Sequence, residues 1–485
     1  MTIQMIPGID PSAVTPVLVT GSWTTGTGVS SEVRSPFDGA LLGKVPALSP
    51  AEVDAAVEYA HRALETSPLP QWQRAEILDR AAVLLASRRE EFGIAIARES
   101  AKPIKTARVE VDRAVSTLQF SAAVARTLAG EVVPMEASAV GVGKIGFIMR
   151  VPIGVVGAIA PFNFPLNLVV HKVGPAIAAG CPVVLKPASQ TPFSSILLAR
   201  LLEEAGLPDG YLQVVTGGGG TVGNALVDNP RIALITFTGS PDVGWGIRAR
   251  APRKRVGLEL GNNAPVVIEA DGDWKTAAAK IKVAGFSHAG QSCISTQRIL
   301  VHRSIADAFV EELVAGVRTL VVGDPMDDST DVSALISQSE RDRVAGWIAE
   351  AVAEGGSVAC GGELDSNGVL MPTVIVGANP SMNVCAKEVF GPVVAVQVYD
   401  DFDDALRIAN DTDFGLQAAV FTSDISKGLK AARTLDFGGV LVNEVPTWRT
   451  DQMPYGGLRD SGNTKEGPAY SVREMTEERL VILNG

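Results

Sequence analysis

From residue 51 to residue 99 apolar positions recur at helical spacing in an Ala-, Leu- and Glu-rich background, and Ser49-Pro50 supplies a cap and a first-turn proline. A second helical run extends from about Lys105 to Leu128. From Ile153 onward the pattern changes to short apolar runs. Val155 to Ile159, Pro182 to Leu185, Leu212 to Val215, Ile232 to Phe237 and Val256 to Leu260 read as strands, with helical stretches between most of them. That alternation predicts a parallel sheet covered on both faces. A second α/β set begins near Ala264, with strands at Pro265 to Ile268, Arg298 to Val301 and Val393 to Val398 and helices at 304–321 and 340–354. The small-residue run Ala277 to Gly290 also reads as a helix. Glu131 to Arg150 and Val472 to Ile482 are extended, mixed segments outside this rhythm, suited to pairing with each other or with another subunit.

One uncharged stretch, Val151 to Val170, has the twenty residues needed to span a bilayer. Pro152, Pro161 and Pro165 interrupt it and Asn163 and Asn167 lie within it, so it is expected to form a buried strand, a turn and the start of a helix. A chain of 485 residues exceeds what one core serves, and two or more domains are expected. Its 46% apolar content and 49 glycines suit a compact α/β enzyme. A net charge of −12 repels phosphate, which disfavours nucleic acid and anionic membrane as partners but leaves room for a local basic pocket. Cys181, Cys293, Cys360 and Cys385 form no C-x-x-C pair, and His61, His171, His288 and His302 show no metal spacing. Neither a disulfide framework nor a metal site is expected, and the compartment is read as reducing. Met1 to Val14 lacks the basic start and apolar core of a secretion signal.

The candidate chemistry begins with Glu259 in L-E-L-G and Cys293 in G-Q-S-C, thirty-four residues apart. A thiol attacks a carbonyl, and a carboxylate activates water to release the acid; a small buried core cysteine is the alternative. The thiol is expected at the C-terminal exit of the helix ending near Gly290, where a glycine lets the chain turn sharply. Thr216 to Gly223 reads T-G-G-G-G-T-V-G, a formal G-x-G-x-x-G match at Gly218, Gly220 and Gly223. No acidic residue ends the next strand, so this is not an ordinary dinucleotide fingerprint. Thr238-Gly239-Ser240 lies at a strand-to-helix junction and suits a pyrophosphate, or else is a plain turn with a serine cap. Lys186 in L-K-P-A ends a strand where a doubly wound sheet meets its ligands; a solvated loop lysine is the alternative. Asn163, set in P-F-N-F-P, is held by its prolines as an oxyanion donor must be, or caps the following helix.

Asn163 in P-F-N-F-P, Lys186 in K-P-A, Phe237-Thr238-Gly239-Ser240, Glu259 in L-E-L-G, Cys293 in G-Q-S-C and Glu388-Val389-Phe390-Gly391-Pro392 are six motifs in an order that resembles the aldehyde dehydrogenase superfamily, roughly from residue 35 to the end. The resemblance implies a Rossmann-like dinucleotide-binding domain at 1–129 and 152–261, a second α/β catalytic domain at 262–465, and a small β oligomerisation arm at 130–151 and 466–485. It implies that Cys293 attacks the aldehyde, that Asn163 and the Cys293 backbone N–H hold the oxyanion, that Glu259 activates the hydrolytic water, and that Lys172 relays protons. The cofactor is NAD or NADP. Lys186 falls to its adenosine ribose, Ser240 to the pyrophosphate, Glu388 to the nicotinamide ribose and Phe390 to the nicotinamide, with Ser189, Gly219, Gly223 and Phe237 beside them. A small-molecule aldehyde, a homodimer or homotetramer and a cytoplasmic setting complete the expectation.

Three departures carry information. Ser189 stands where many NAD-preferring members have glutamate, which removes repulsion toward a 2′-phosphate and admits NADP. Gly261-Asn262-Asn263 replaces the common G-G-K after the base, implying altered packing with catalysis intact. Arg449 lies in the loop that the family places at the aldehyde entrance, where a guanidinium suits an anionic substrate; a surface arginine paired with Asp451 or Glu444 is the alternative. A CoA-acylating relative, a non-catalytic structural member and a cysteine protease using His288 are the rival readings. The presence of both Glu259 and Cys293 favours the hydrolytic enzyme.

Overall fold

The computed structural model describes residues 5–484; Met1 to Gln4, part of the stretch read for a secretion signal, and Gly485 lie outside the described residues. The helical run after Ser49 becomes three helices, Pro50–Thr66, Gln71–Ser87 and Arg89–Ser100. The first starts on a reciprocal cap: Glu52 N donates to Ser49 Oγ, and Ser49 N donates to the Glu52 carboxylate at 2.7 Å. The next helix, Ile104–Thr127, packs against Gln71–Ser87 and against Asn167–Ala179. Every residue of Asn167–Ala179 is buried, which accounts for the uncharged stretch there. Among the described residues, no helix is long and apolar enough to cross a membrane.

The first sheet has five parallel strands in the spatial order Arg255–Glu259, Ile232–Thr238, Val155–Ile159, Val183–Lys186 and Leu212–Val214. Chain order reverses at the central strand, the switch point at which such sheets open a crevice beyond their C-terminal ends. The register aligns Ile159 with Phe237 and Lys186, and Thr238 with Glu259, so the segments that follow or end these strands share one edge. The second sheet has seven strands, in the order Ser357–Cys360, Thr373–Val376, Val393–Tyr399, Arg298–His302, Pro265–Ile268, Gln417–Phe421 and Gly439–Val442, antiparallel only at the first pair. Only residues 260–264 separate the last strand of one sheet from Pro265–Ile268 of the other. The C-terminal edge of the first sheet therefore faces the N-terminal edge of the second. A three-stranded antiparallel sheet joins Thr476–Asn484, Lys144–Pro152 and Val132–Val133, pairing the two extended segments with each other.

Two expectations are corrected. The helix read over Ala277 to Gly290 spans Trp274–Ala284 and stops there, because His288, Ala289 and Gly290 take φ of 51°, 54° and 70°, outside the helical range. Cys293 thus follows a separate left-handed turn and does not stand at the helix exit. The C-terminal segment is not extended from Val472: Gly467 and Pro468 start a short helix, Pro468–Glu474, that buries Val472, and the strand begins at Thr476.

Gly290 fixes that turn, since a Cβ there would meet the Gly391 carbonyl oxygen at 2.1 Å and its φ of 70° disfavours any side chain. Gly290→Ala is expected to cost about 1–3 kcal/mol and to depress turnover, since Cys293 follows directly. Calorimetry should show a lower Tm; an unchanged Tm would mean that the Gly391 carbonyl moves aside freely.

Candidate active site

Asn163, Phe237, Ser240, Glu259, Cys293, Glu388 and Phe390 line one cleft of about 580 Å³ between the two sheets. Cys293 is half-buried there, with Sγ 2.8 Å from the hydroxyl of Tyr455. Burial pushes its thiol up to about 12; Tyr455 and Arg449 pull the other way, while Glu388 and Glu259 add to the rise. Asn163 lies across from it, its amide Nδ2 donating to the Gln291 carbonyl at 2.9 Å and its Oδ1 accepting from Phe164 N at 3.1 Å. A second amide N–H remains for a ligand oxygen. His288, by contrast, makes no hydrogen bond to Cys293. Its ring is buried edge-on to Phe164, which removes the protease reading.

The loop carrying Asn163 is held from below. Glu110 Oε1 accepts from Leu166 N at 2.9 Å and Asn167 N at 3.1 Å, two donors that the start of the following helix would otherwise leave open. Glu110 is paired in turn with the fully buried Lys102, whose ammonium lies 3.6 Å from the Phe164 ring centroid.

Glu259 ends its strand with both carboxylate oxygens buried and without a partner among the described residues. Burial, then the nearby charge of Glu466, raises its pKa well above the ordinary carboxylate value, against the pull of Arg449, Lys172 and Lys465. Glu466 goes the other way. Burial raises it, but His171, Arg449 and Lys172 outweigh that and hold it down to about 2. The two acids are thereby separated into an ionised Glu466 and a Glu259 able to take up and release a proton. Lys172 Nζ donates to Thr238 Oγ1 at 2.7 Å and Thr236 Oγ1 at 3.1 Å, and burial lowers its pKa while Glu466 and Glu259 oppose the fall.

Arg449 is not the surface arginine of the alternative reading. Its side chain is 5% exposed and pairs with Glu466 at 3.0 Å; Asp451 is taken by Arg113 at 2.8 Å and Glu444 by Lys280 at 2.6 Å. The guanidinium lies 3.8 Å from the Tyr455 ring centroid. It is therefore a buried cation close to Cys293 and not a surface one.

At the other end of the cleft, Glu388 Oε1 accepts from Asn262 N at 3.0 Å, and burial lifts its carboxyl to about 7 against that bond and the charge of Arg343. Gly261 lets the Glu388 carboxylate approach closely, because a Cβ there would meet Oε2 at 2.3 Å and the side chain would have to shift. The asparagines that stand in place of the common G-K bond to backbone carbonyls: Asn263 Nδ2 donates to Cys385 O at 2.9 Å, tying down the segment before Glu388, and Asn262 Nδ2 donates to Gln417 O at 3.1 Å, while Asn262 Oδ1 is buried without a partner among the described residues. Phe390 takes φ of 47° and meets Phe162 edge-to-face at 5.8 Å. Ser240 is exposed at the start of the helix Pro241–Arg250 and makes no capping bond, leaving its hydroxyl and the helix N–H groups for a phosphate.

Other expected residues stand outside the cleft lining. Lys186 Nζ contacts only the Pro187 carbonyl, at 3.2 Å, and burial lowers its pKa, so it has donors to spare for ligand hydroxyls. Ser189 is exposed, with Oγ donating to Gly217 O at 3.1 Å. Gly219 is exposed with open space around it, and Gly223 packs on the Lys186 stem. A free carboxylate, an unpartnered serine at a helix start and a buried lysine lacking an acid partner together fit an NAD(P) dinucleotide. Sequence reading assigned no role in the site to Tyr455, Glu466, His171, Arg113, Glu110 or Lys102, and named Asp451 only as the alternative partner of Arg449. Only Tyr455 carried a local signal, in Met453-Pro454-Tyr455-Gly456-Gly457.

The model of the aldehyde dehydrogenase family matches residues 23–481. The chain is 46% identical over 466 residues to a 3-sulfolactaldehyde dehydrogenase of Priestia aryabhattai, covering 96% of this chain and 97% of that one. It is 37% identical over 475 residues to a lactaldehyde dehydrogenase of Methanococcus aeolicus, covering 96% of this chain and 100% of that one. It superposes with a TM-score of 0.95 on the NADP-dependent glyceraldehyde-3-phosphate dehydrogenase of Bacillus halodurans complexed with NADP, at 36% identity over 97% of this chain and 99% of that one.

The Lys102–Glu110 pair can be tested directly. Glu110→Gln keeps an oxygen for Leu166 N and Asn167 N but strands a buried ammonium, and should cost about 3–5 kcal/mol in guanidinium unfolding. Adding Lys102→Met should recover most of the loss. No recovery in the double variant would mean that the pair contributes by some route other than charge.

Proposed function

The chain belongs to the aldehyde dehydrogenase family and oxidises an aldehyde with NAD(P); we propose that it is a hydrolytic enzyme acting on a small, anionic 2-hydroxyaldehyde. The observation that carries the hydrolytic reading is the placement of the Cys293 thiol and the unpartnered Glu259 carboxylate in one cleft. Cys293 gives its proton to Glu259 or to water and its sulfur bonds to the aldehyde carbon, while the free N–H of Asn163 and the Cys293 backbone N–H hold the oxyanion. NAD(P), when bound, supplies the hydride acceptor. The thioester left on Cys293 is attacked by water that gives its proton to Glu259, and the acid leaves as the thiol is restored. Lys172, facing both Glu259 and Glu466, carries that proton onward. Transfer to CoA would leave the buried base without a task.

For the cofactor, Lys186 and Ser189 take the adenosine ribose end, Gly219, Gly223 and Phe237 flank it, Ser240 takes the pyrophosphate, and Glu388 with Phe390 takes the nicotinamide end. Ser189 brings no repelling charge, which supports NADP alongside NAD. The substrate class rests on the relatives named for sulfolactaldehyde, lactaldehyde and glyceraldehyde 3-phosphate, and on local charge. Arg449, whose guanidinium lies over the Tyr455 ring next to Cys293, adds positive charge beside the cleft, which favours a sulfonate, phosphate or carboxylate on the substrate. A homodimer or homotetramer is supported by the exposed apolar residues Val132, Ile145, Met149, Leu480, Ile482 and Leu483 of the three-stranded sheet. Four free cysteines agree with a reducing cytoplasm.

Glu259→Gln should leave a burst of reduced cofactor about equal to the enzyme sites, followed by slow turnover, in stopped-flow absorbance at 340 nm. In the native enzyme the base form is lost as pH falls through the raised pKa of Glu259. The acid limb of kcat should therefore lie well above the ordinary carboxylate value of 4.5. Native steady turnover in the variant would assign deacylation to another group.

An aldehyde panel tests substrate and cofactor together. Sulfolactaldehyde and glyceraldehyde 3-phosphate should exceed neutral aliphatic and aromatic aldehydes in kcat/KM by roughly tenfold or more, the worth of a charged hydrogen bond. NADP should support rates comparable with NAD. Preference for neutral aldehydes, or a thousandfold rejection of NADP, would overturn the corresponding half.

A further inference from the structure

Tyr455 is 2% exposed, and among the described residues its hydroxyl has one hydrogen-bond partner, Cys293 Sγ at 2.8 Å, and the thiol has no other side-chain partner. A buried phenol with only a sulfur to meet is costly unless that contact is used. The ring is fixed from three sides. Ile294 and Leu416 pack against it, and the Arg449 guanidinium lies over it at 3.8 Å. Its backbone exchanges two hydrogen bonds with Glu466, Tyr455 N to Glu466 O at 2.9 Å and Glu466 N to Tyr455 O at 2.5 Å. The Glu466 carboxylate also holds Arg449, so one residue sets both the backbone and the cation of this aromatic site.

We infer that Tyr455 is a catalytic residue whose hydroxyl donates to the Cys293 thiolate, and that Arg449, held by Glu466, positions the ring and strengthens that donor. The inference rests on the reading of Cys293 as the nucleophile. A neutral thiol is a weak acceptor and a thiolate a strong one, so the bond tightens as the S–H proton departs to Glu259 or to water. It weakens again when the sulfur lone pair forms the bond to carbon, and the phenol keeps its own proton throughout. Burial makes this help necessary. It is the largest influence against the thiolate, Glu388 and Glu259 add to it when they are ionised, and Tyr455 and Arg449 act the other way. Around Tyr455 itself the facing groups are Cys293, Arg449 and Glu259, and beyond Glu259 lie Glu466, Lys172 and Lys465.

The test reads the sulfur without turnover. The full-length enzyme, saturated with oxidised cofactor and without aldehyde, is alkylated with neutral iodoacetamide from pH 6.5 to 9.5, and the labelled cysteine is located by mass spectrometry. Tyr455→Phe keeps the ring and its cation. It should slow alkylation of Cys293 by about three- to tenfold across the range, because fewer thiolates form and their higher basicity recovers only part of the loss. kcat/KM should fall by a similar factor. Arg449→Met should slow the same alkylation, by a smaller factor, and 3-fluorotyrosine placed at position 455, a more acidic phenol of nearly the same shape, should speed it. An unchanged or faster reaction in Tyr455→Phe, or no response to fluorination, would overturn the inference. Labelling at Cys181, Cys360 or Cys385 with Cys293 inert would instead overturn the nucleophile assignment.

Discussion

Desolvation of ionisable groups between the two sheets governs this site. In water, Cys293, Glu259, Glu388 and Lys172 would each titrate near their ordinary values; here burial is the largest influence on all four. Burial alone would neutralise every one of them. Charge survives only where partners are close enough to offset it, as at Glu466 with His171, Arg449 and Lys172 around it. The contrast between an ionised Glu466 and a proton-holding Glu259 follows from that placement and not from any difference between the two side chains. A base that must give and take a proton near neutral pH needs this setting.

The sheets supply the setting through an asymmetric meeting of edges. The first sheet offers its C-terminal edge, as doubly wound sheets do for their ligands, with Lys186, Thr238 and Glu259 at the ends of three strands. The second offers its N-terminal edge: Cys293 and Glu388 each precede a strand, Arg298–His302 and Val393–Tyr399, by five residues. Those two strands are paired in parallel, Arg298 beside Ala395, so Cys293 and Glu388 arrive side by side from distant parts of the chain. The short link 260–264 keeps the two edges facing each other.

Precision then comes from buried polar groups that have no role in the chemistry. Glu110 and Lys102 secure the segment bearing Asn163, and Asn262 and Asn263 secure the one bearing Glu388. Each such group would be destabilising alone and is tolerated because its partners offset most of the cost, Asn262 Oδ1 alone among their side-chain oxygens being left without one among the described residues. That explains how a chain lacking the common G-G-K sequence keeps the cleft: the asparagines hydrogen-bond to backbone carbonyls of the segments they must hold.

Much of this was legible from the residues in order. Hydrophobic periodicity is local, so the helices after Ser49 and the central strands of both sheets fall within a few residues of where the pattern puts them. The six short motifs keep chemistry-bearing residues next to glycines and prolines that shape the local turn, which made Cys293, Glu259, Asn163 and Glu388 visible. The end of the helix at Ala284 was not visible, because His288 and Ala289 adopt left-handed backbone that no residue preference signals. Nor was the partner of Arg449: Asp451 and Glu444 were nearer in sequence, but Glu466 is nearer in space. Tyr455 meets Cys293 across 162 residues of chain, and Glu110 meets Asn167 across 57. Sequence alone determined which chemistry was available. Which acid is charged, and what touches the sulfur, depends on distance and exclusion of water, and these exist only once the two sheets have closed on each other.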